Sequence, residues 1–282
     1  MQPVSAPILF DRAARRKHLL RAQAQLPAHD FLFAEGAEIL AESLAPLTHQ
    51  FPMVAELQPR TAYATAMLRA RAGTTRVITP AEIAMDEELL PFADATLDAI
   101  VSNLSLHAVN DLPGLLIQAR RALKPDGLFL ATLPGAASLQ ELRQALAEAE
   151  AEVTGGVSPR IAPFLEVRDA GNLLQRAGFA LPVVDSVTLT IRYPDMLALL
   201  RDLRGAGERN MLSARQKRFT QRQVFVQAAA RYAAQHSDGE GGIVATAEII
   251  TVCGWKPAAS QQQPAKRGSG MVNLTQVLST PH

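Results

Sequence analysis

The sequence predicts an α/β protein with a doubly wound, mostly parallel sheet. From Leu89 to Pro134 the chain reads strand, helix, strand: Leu97 to Leu104 is an apolar run, Leu112 to Leu123 carries helix-spaced leucines, and Gly127 to Leu133 is a second apolar run after a Lys-Pro-Asp-Gly turn. Upstream, Met53 to Leu57, a turn at Gln58-Pro59-Arg60 and an Ala-rich helical stretch from Thr61 to Ala72 repeat the same order. Strands that alternate with helices are joined by crossovers, which build a parallel sheet. The last two strands, joined by helical material, read as an added edge pair.

The remaining elements follow in chain order. Arg12, Arg15, Arg16, Lys17 and Arg21, flanked by Ile8, Phe10, Leu19 and Leu20, predict an amphipathic N-terminal helix with a basic side. The same arginines resemble an organelle transit peptide; the helix is the better reading. From Pro27 a second helix presents Phe31, Ile39, Leu40, Leu44 and Leu47 and ends before Pro52. Arg76 to Ile78 is a short strand, broken at Pro80, which has no N–H to donate. A long helix spans Leu139 to Val153, and another runs from Asp169 to Ala177, stopped by Gly178. Val183 to Tyr193 alternates as a strand should, and Pro194 opens a helix through Met196, Leu199 and Leu203. Arg204 to Lys217 reads as a basic loop, Phe219 to Gln235 as a helix, and Val244 to Val252 as the last strand, with Trp255 as a lid on the sheet edge. From Ala258 the Gln/Pro/Lys/Gly/Ser bias reads as a flexible tail. The expected organisation is an N-terminal helical segment over 1–50, an α/β domain over 51–257 with a helical cap at about 194–236, and a tail over 258–282.

A length of 282 residues is enough for a full core, and 48% apolar content is ordinary. A net charge of +1 gives no global field for nucleic acid, so none is expected as a partner. No apolar run is long enough to span a bilayer, so no integral membrane segment is expected. The one cysteine, Cys253, excludes an internal disulfide and points to a reducing, cytoplasmic-type compartment, or an organelle matrix in a eukaryote. Cys253 itself reads as buried and inert. No His/Cys/Asp cluster has metal-ligand spacing, so no metal is expected.

In such sheets ligands sit beyond the carboxyl ends of the strands, which directs attention to the turns after Leu57, Ile78, Leu104 and Leu133. The run Asp86-Glu87-Glu88-Leu89-Leu90-Pro91-Phe92, then Leu97-Asp98-Ala99-Ile100-Val101-Ser102, Leu104 to Leu112, and Leu123-Lys124-Pro125-Asp126-Gly127 resembles the second half of class I S-adenosylmethionine-dependent methyltransferases. Phe10-Asp11-Arg12, Gly155 to Phe164, Asp202 to Asn210 and Gly254-Trp255-Lys256-Pro257 look like the branch containing the methyltransferase-like respiratory complex I assembly factor, an arginine hydroxylase. The biotin-pathway malonyl-carrier methyltransferases lie nearby. The resemblance implies a Rossmann-like methyltransferase sheet with N-terminal helices and a helical cap inserted before the last strand. It implies S-adenosylmethionine as cofactor and, as partner, a complex I subunit or another protein or carrier-linked substrate.

Carried over residue by residue, the resemblance makes Asp86, with Glu87 beside it, the acceptor for the adenine amino group. It places the turn of Ser102, Asn103 and Leu104 against the cofactor. Glu56 keeps the acidic end of the first strand. The positions matching the family's three glycines are Gln58, Arg60 and Ala62, and a β-carbon where φ is positive costs on the order of 1 kcal/mol. Side chains as long as Gln58 and Arg60 are sized to occupy the methionine half of the pocket, and Arg60 alternatively to hold an anion. The chain also looks short by one strand-helix step between the first strand and Leu90, leaving Glu82 as the nearest acid for the ribose. His107 is the candidate catalytic base, or else a histidine packed on Leu104 and Val109. Glu56 is read as a cofactor carboxylate or an ion-pair partner of Arg60. Arg201, Arg204, Arg209 and Arg215 are read as a solvated face or a protein contact. The function expected is that of a methyltransferase-family protein acting in complex I assembly; the alternative is a catalytically inactive scaffold on the same fold.

Overall fold

The computed structural model describes residues 8–86 and 88–261. The six strands β1 (Met53–Glu56), β2 (Arg76–Ile78), β3 (Leu97–Asn103), β4 (Leu123–Pro134), β5 (Ala180–Tyr193) and β6 (Ile243–Trp255) form one sheet in the order β2-β1-β3-β4-β6-β5. The first four are parallel, while β6 runs antiparallel to both β4 and β5. The expected doubly wound sheet and its antiparallel pair are therefore present. β2 is an edge strand and 79–96 contributes no strand among the described residues, which is the shortening seen in the sequence.

Both faces of the sheet are covered, which is why β3 and β4 read as continuous apolar runs. Ile100, Phe129 and Ala131 point to the side of α4 (Leu112–Ala122) and α6 (Val167–Arg176), where they meet Leu115, Ala119 and Leu174. Ala99, Val101, Leu128 and Leu130 point the other way, onto Leu40 of α2 (Phe31–Leu44) and Leu68 of α3 (Tyr63–Ala70). α2 thus belongs to the layer that covers the sheet. The helix α1 (Arg12–Ala22) is not the amphipathic helix expected: it buries Ala14, Ala22 and one of its basic residues, Arg15, and leaves Leu20 exposed. It is capped by Asp11, whose carboxylate accepts from Ala14 N, and Asp11 N donates to Met211 O of the cap loop.

The cap comprises α7 (Met196–Gly205) and α8 (Arg222–Gln235); α8 packs on α5 (Gln140–Thr154) around Leu142, Leu146, Val224 and the fully buried Tyr232. Tyr232 donates its hydroxyl to Val244 O at 2.9 Å, so its burial leaves no polar atom unpaired.

Several boundaries differ from expectation for local reasons. α7 starts after Pro194 because Asp195 is the N-cap, accepting from Ala198 N at 2.7 Å, and the helix runs on through Arg204. β5 and β6 are longer than the alternating pattern implied, because they pair with each other from Ala180 to Tyr193. Trp255 is not a lid on the sheet edge: β6 is an interior strand, and the indole packs on His49 and Phe51 beneath the sheet. The Cys253 thiol is pushed up to about 11 by burial, which removes its nucleophilicity at neutral pH. The tail from 262 onward lies outside the described residues.

Phe129 is fully buried and packs on Phe179 across the central strand. Phe129→Ala is expected to lower unfolding stability by about 3–5 kcal/mol, read from urea denaturation.

Candidate functional site

The strand ends converge on the turn after β1. Leu57 N continues the ladder to Val101 O, and Gln58 then takes φ 50°. The turn keeps a left-handed residue where a glycine was expected, and Gln58 fills it. Its amide oxygen accepts from both Nη atoms of Arg15 on α1, each at 3.2 Å, and Arg15 Nη2 also donates to Ser105 O at 2.9 Å. Ala62 directly precedes α3 with ordinary helical angles.

Arg60 turns inward. Its side chain is 8% exposed, its Nη1 meets Glu208 Oε1 at 3.0 Å, its Nη2 donates to Ala206 O at 2.6 Å, and its guanidinium lies 5.3 Å over the Phe33 ring. It is thereby a partner of the cap and not an anion site. Gly207, at φ 80°, is where the cap loop turns; a β-carbon there would come within 3.0 Å of Arg60 Nη2. Glu208 also receives His107, Nε2 to Oε2 at 3.0 Å. Burial would raise the Glu208 carboxyl, but His107, Arg60 and Arg15 outweigh it and hold it well below the usual carboxylate range. His107 sits edge-on to Phe164 with its Nδ1 buried and without a hydrogen-bond partner among the described residues.

The other expected residues are placed as follows. Glu56 is buried beneath the turn, where its carboxylate accepts from Thr65, not from Arg60; burial pushes it up to about 7 despite that bond and Arg69. Ser102 and Asn103 are buried: Ser102 Oγ donates to Leu57 O, and Asn103 bridges Phe33 O at 2.7 Å and Thr132 Oγ1 at 3.0 Å. Leu104 takes φ 47° at the end of β3. Asp86 lies apart on a half-exposed loop, accepting from Glu88 N and paired with Arg12 of α1, which together lower its carboxyl. Glu87 lies outside the described residues. Glu82 pairs with Arg76 on the exposed β2 edge, away from these strand ends.

A cavity of about 110 Å³ opens beside this network. Its walls are mostly apolar, with Phe31, Phe33, Leu104, Phe164 and Leu199 prominent. Its polar wall includes three carboxylates, Asp202, Glu208 and Glu248. Asp202 of α7 accepts from His29 Nδ1 at 2.7 Å and from Tyr193 at 2.6 Å; burial and that carboxylate push the Tyr193 hydroxyl far up. Arg15, Phe33, Asp202, Glu208 and Glu248 were not anticipated as site residues, because each is brought in from an element distant in sequence.

Four parallel strands extended by an antiparallel pair, with a cap beside their carboxyl ends, have the architecture of the class I methyltransferase type. A methyltransferase-domain model matches residues 54–131. The arginine-hydroxylase NDUFAF5, mitochondrial, of Danio rerio is 38% identical over 94% of this chain and 88% of its own length. The Homo sapiens protein of the same name is 37% identical, over 94% and 82%. A malonyl-[acyl-carrier protein] O-methyltransferase of Methylovorus is 30% identical, over 91% and 93%. A solved Bacillus halodurans methyltransferase structure superimposes with TM-score 0.53 at 13% identity, over 78% of this chain and 98% of the other, a likeness of fold. The chain belongs to the methyltransferase-domain family, in the group of the NDUFAF5 arginine hydroxylases.

S-adenosylmethionine is the cofactor of that family. The residues here fit it in part: β1, β3 and the left-handed positions at Gln58 and Leu104 keep the strand-end frame. Gln58 and Arg60 fill the turn after β1 with side chains bonded to Arg15, Glu208 and Ala206, where the family's turn is glycine-rich.

Two outcomes test this geometry. Arg60→Gly opens the turn and is expected to tighten S-adenosylmethionine binding by calorimetry while lowering the melting temperature; unchanged affinity would show that the cofactor does not approach Arg60. A Glu56 carboxyl raised above its unfolded value is protonated in the fold while the unfolded chain is ionised. Stability therefore falls as pH rises from about 4.5 to about 7 and levels off above. Glu56→Gln is expected to stabilise the protein at pH 8 by up to roughly 3 kcal/mol and to change little at pH 4.

Proposed function

We propose that this chain modifies an arginine side chain of a partner protein, by hydroxylation as in the curated relatives' name, and that the partner is a subunit of respiratory complex I. The observation that carries the reading is the first cavity, apolar in bulk and lined by Asp202, Glu208 and Glu248. A guanidinium is always charged, carries five donors in a planar fork and stacks on aromatic rings, so carboxylates set among Phe31, Phe33 and Phe164 complement it. The chain's own Arg60 is held on the rim of this cavity by the same means: a carboxylate, a carbonyl and the Phe33 face.

Among the chain's residues, Asp202 and Glu248 orient the incoming guanidinium, Phe164 and Leu199 exclude water, and His107, tied to Glu208, is the group placed to relay a proton. Hydroxylation replaces a C–H bond with C–OH; dioxygen supplies the oxygen, and its second atom leaves as water with two electrons and two protons from a reductant. When bound, S-adenosylmethionine supplies an electrophilic methyl group. The word mitochondrial in the relatives' name and the single, half-buried thiol of Cys253 support work in a cytoplasmic or matrix compartment; among the described residues no helix is long and apolar enough to cross a membrane.

The filled turn at Gln58 and Arg60 is the observation that favours a second reading, a scaffold without turnover; the hydroxylase name of the full-length relatives weighs against it. Mass spectrometry of complex I subunits from cells with and without the gene separates them. The expected result is an arginine that gains one oxygen only when the gene is present, and loses it with Asp202→Asn. A gain of one methyl group would replace hydroxylation by methyl transfer. Complex I rescue by Asp202→Asn with no modified arginine would establish the scaffold.

A further inference from the structure

A second cavity, about 420 Å³, shares His107, Leu139, Phe164, Leu203 and Glu208 with the first. The two compartments have opposite character. Where the first is lined by carboxylates, the second gathers Arg160, Arg204, Arg209, Arg215 and His18 over an apolar floor that includes Leu146 and Phe225.

Two of these arginines are neutralised within the fold. Arg160 is held by Glu150, Nη2 to Oε1 at 2.7 Å and Nε to Oε2 at 2.9 Å, and Arg215 by Asp11 at 2.8 Å. Arg204 and Arg209, exposed at the rim, have no carboxylate partner among the described residues. Burial and the nearness of Arg204 and Arg21 lower the Arg209 guanidinium, a sign of uncompensated positive charge. His18 faces the same arginines, and its Nδ1 is buried with no hydrogen-bond partner among the described residues. Unpaired guanidiniums beside an orphaned ring nitrogen, at the mouth of a half-enclosed space, form an incomplete set of donors.

We propose that this cavity is a carboxylate subsite: Arg204 and Arg209 bind an aspartate or glutamate of the protein substrate while its arginine enters the neighbouring cavity. The inference rests on the arginine-directed reading and adds a rule of substrate choice, an acidic residue close to the target arginine. A carboxylate accepts the planar fork of a guanidinium bidentately, and the apolar floor takes the hydrocarbon of the peptide. Specificity then comes from charge read in two adjoining compartments of opposite sign.

The test is fluorescence anisotropy with the full chain and six labelled short peptides. They combine a central arginine or glutamine with flanking aspartates, asparagines or lysines. The aspartate peptides are expected to bind the native protein about tenfold tighter than the asparagine peptides, a preference that falls below about twofold in Arg204→Ala/Arg209→Ala. Arg204→Glu/Arg209→Glu is expected to prefer lysine flanks instead, which a variant that had merely lost its fold would not do. Equal binding of aspartate and asparagine peptides by the native protein, or a preference that survives in the double variant, overturns the inference. Displacement by phosphopantetheine with no aspartate preference also overturns it, in favour of a carrier arm. Equal affinity for the arginine and glutamine peptides, with the aspartate preference intact, sustains the subsite and removes the arginine-directed reading.

Discussion

The carboxylate of Glu208 is the point on which the functional end of the molecule depends. It comes from the cap loop after α7, yet it receives Arg60 from the turn after β1 and His107 from the turn after β3. A carboxylate out of water needs both oxygens paired, and here one meets the Arg60 guanidinium and the other the His107 ring. Without it Arg60 would be a buried charge with one carbonyl and one aromatic face, and His107 would have no partner on either nitrogen. Neighbouring contacts obey the same logic: Arg15 satisfies Gln58 and Ser105, and Asp202 gathers His29 and Tyr193.

The turn after β1 differs from a glycine-rich turn in content more than in path. Gln58 keeps a left-handed backbone, at a strain on the order of 1 kcal/mol, which the Arg15 bonds offset. What has changed is that side chains fill the space a glycine leaves open, and that these side chains are bonded to the N-terminal helix and the cap. The turn, the N-terminal helix and the cap are for that reason held together as one bonded unit.

The sheet was legible in the sequence because its signals are local. β3, α4 and β4 follow from apolar runs and leucine spacing, but Lys124 to Gly127, read as a turn, belongs to β4, which starts at Leu123 and accommodates Asp126 at φ 65° beside a register shift. The strand-end position of Glu56, Ser102, Asn103 and His107 followed from topology. The partners of those residues were not legible. Glu56 turned out to meet Thr65 rather than Arg60, Trp255 found His49 through the burial of β6, and Glu208 looked like one more charge in a basic loop. Nothing in the periodicity of 204–217 marks which acid will be enclosed, because that is decided by α1, α7 and two turns closing on one point.

Chain separation gives the Glu208 tie a further meaning. Arg60 is 148 residues from Glu208, His107 is 101 residues from it, and His29 is 173 residues from Asp202. Loops of that size close only when intervening structure has already brought their ends together. The three contacts therefore take their geometry from the sheet and its layers, which hold four segments from distant parts of the chain at one point: the precision of the working end is borrowed from the framework beneath it.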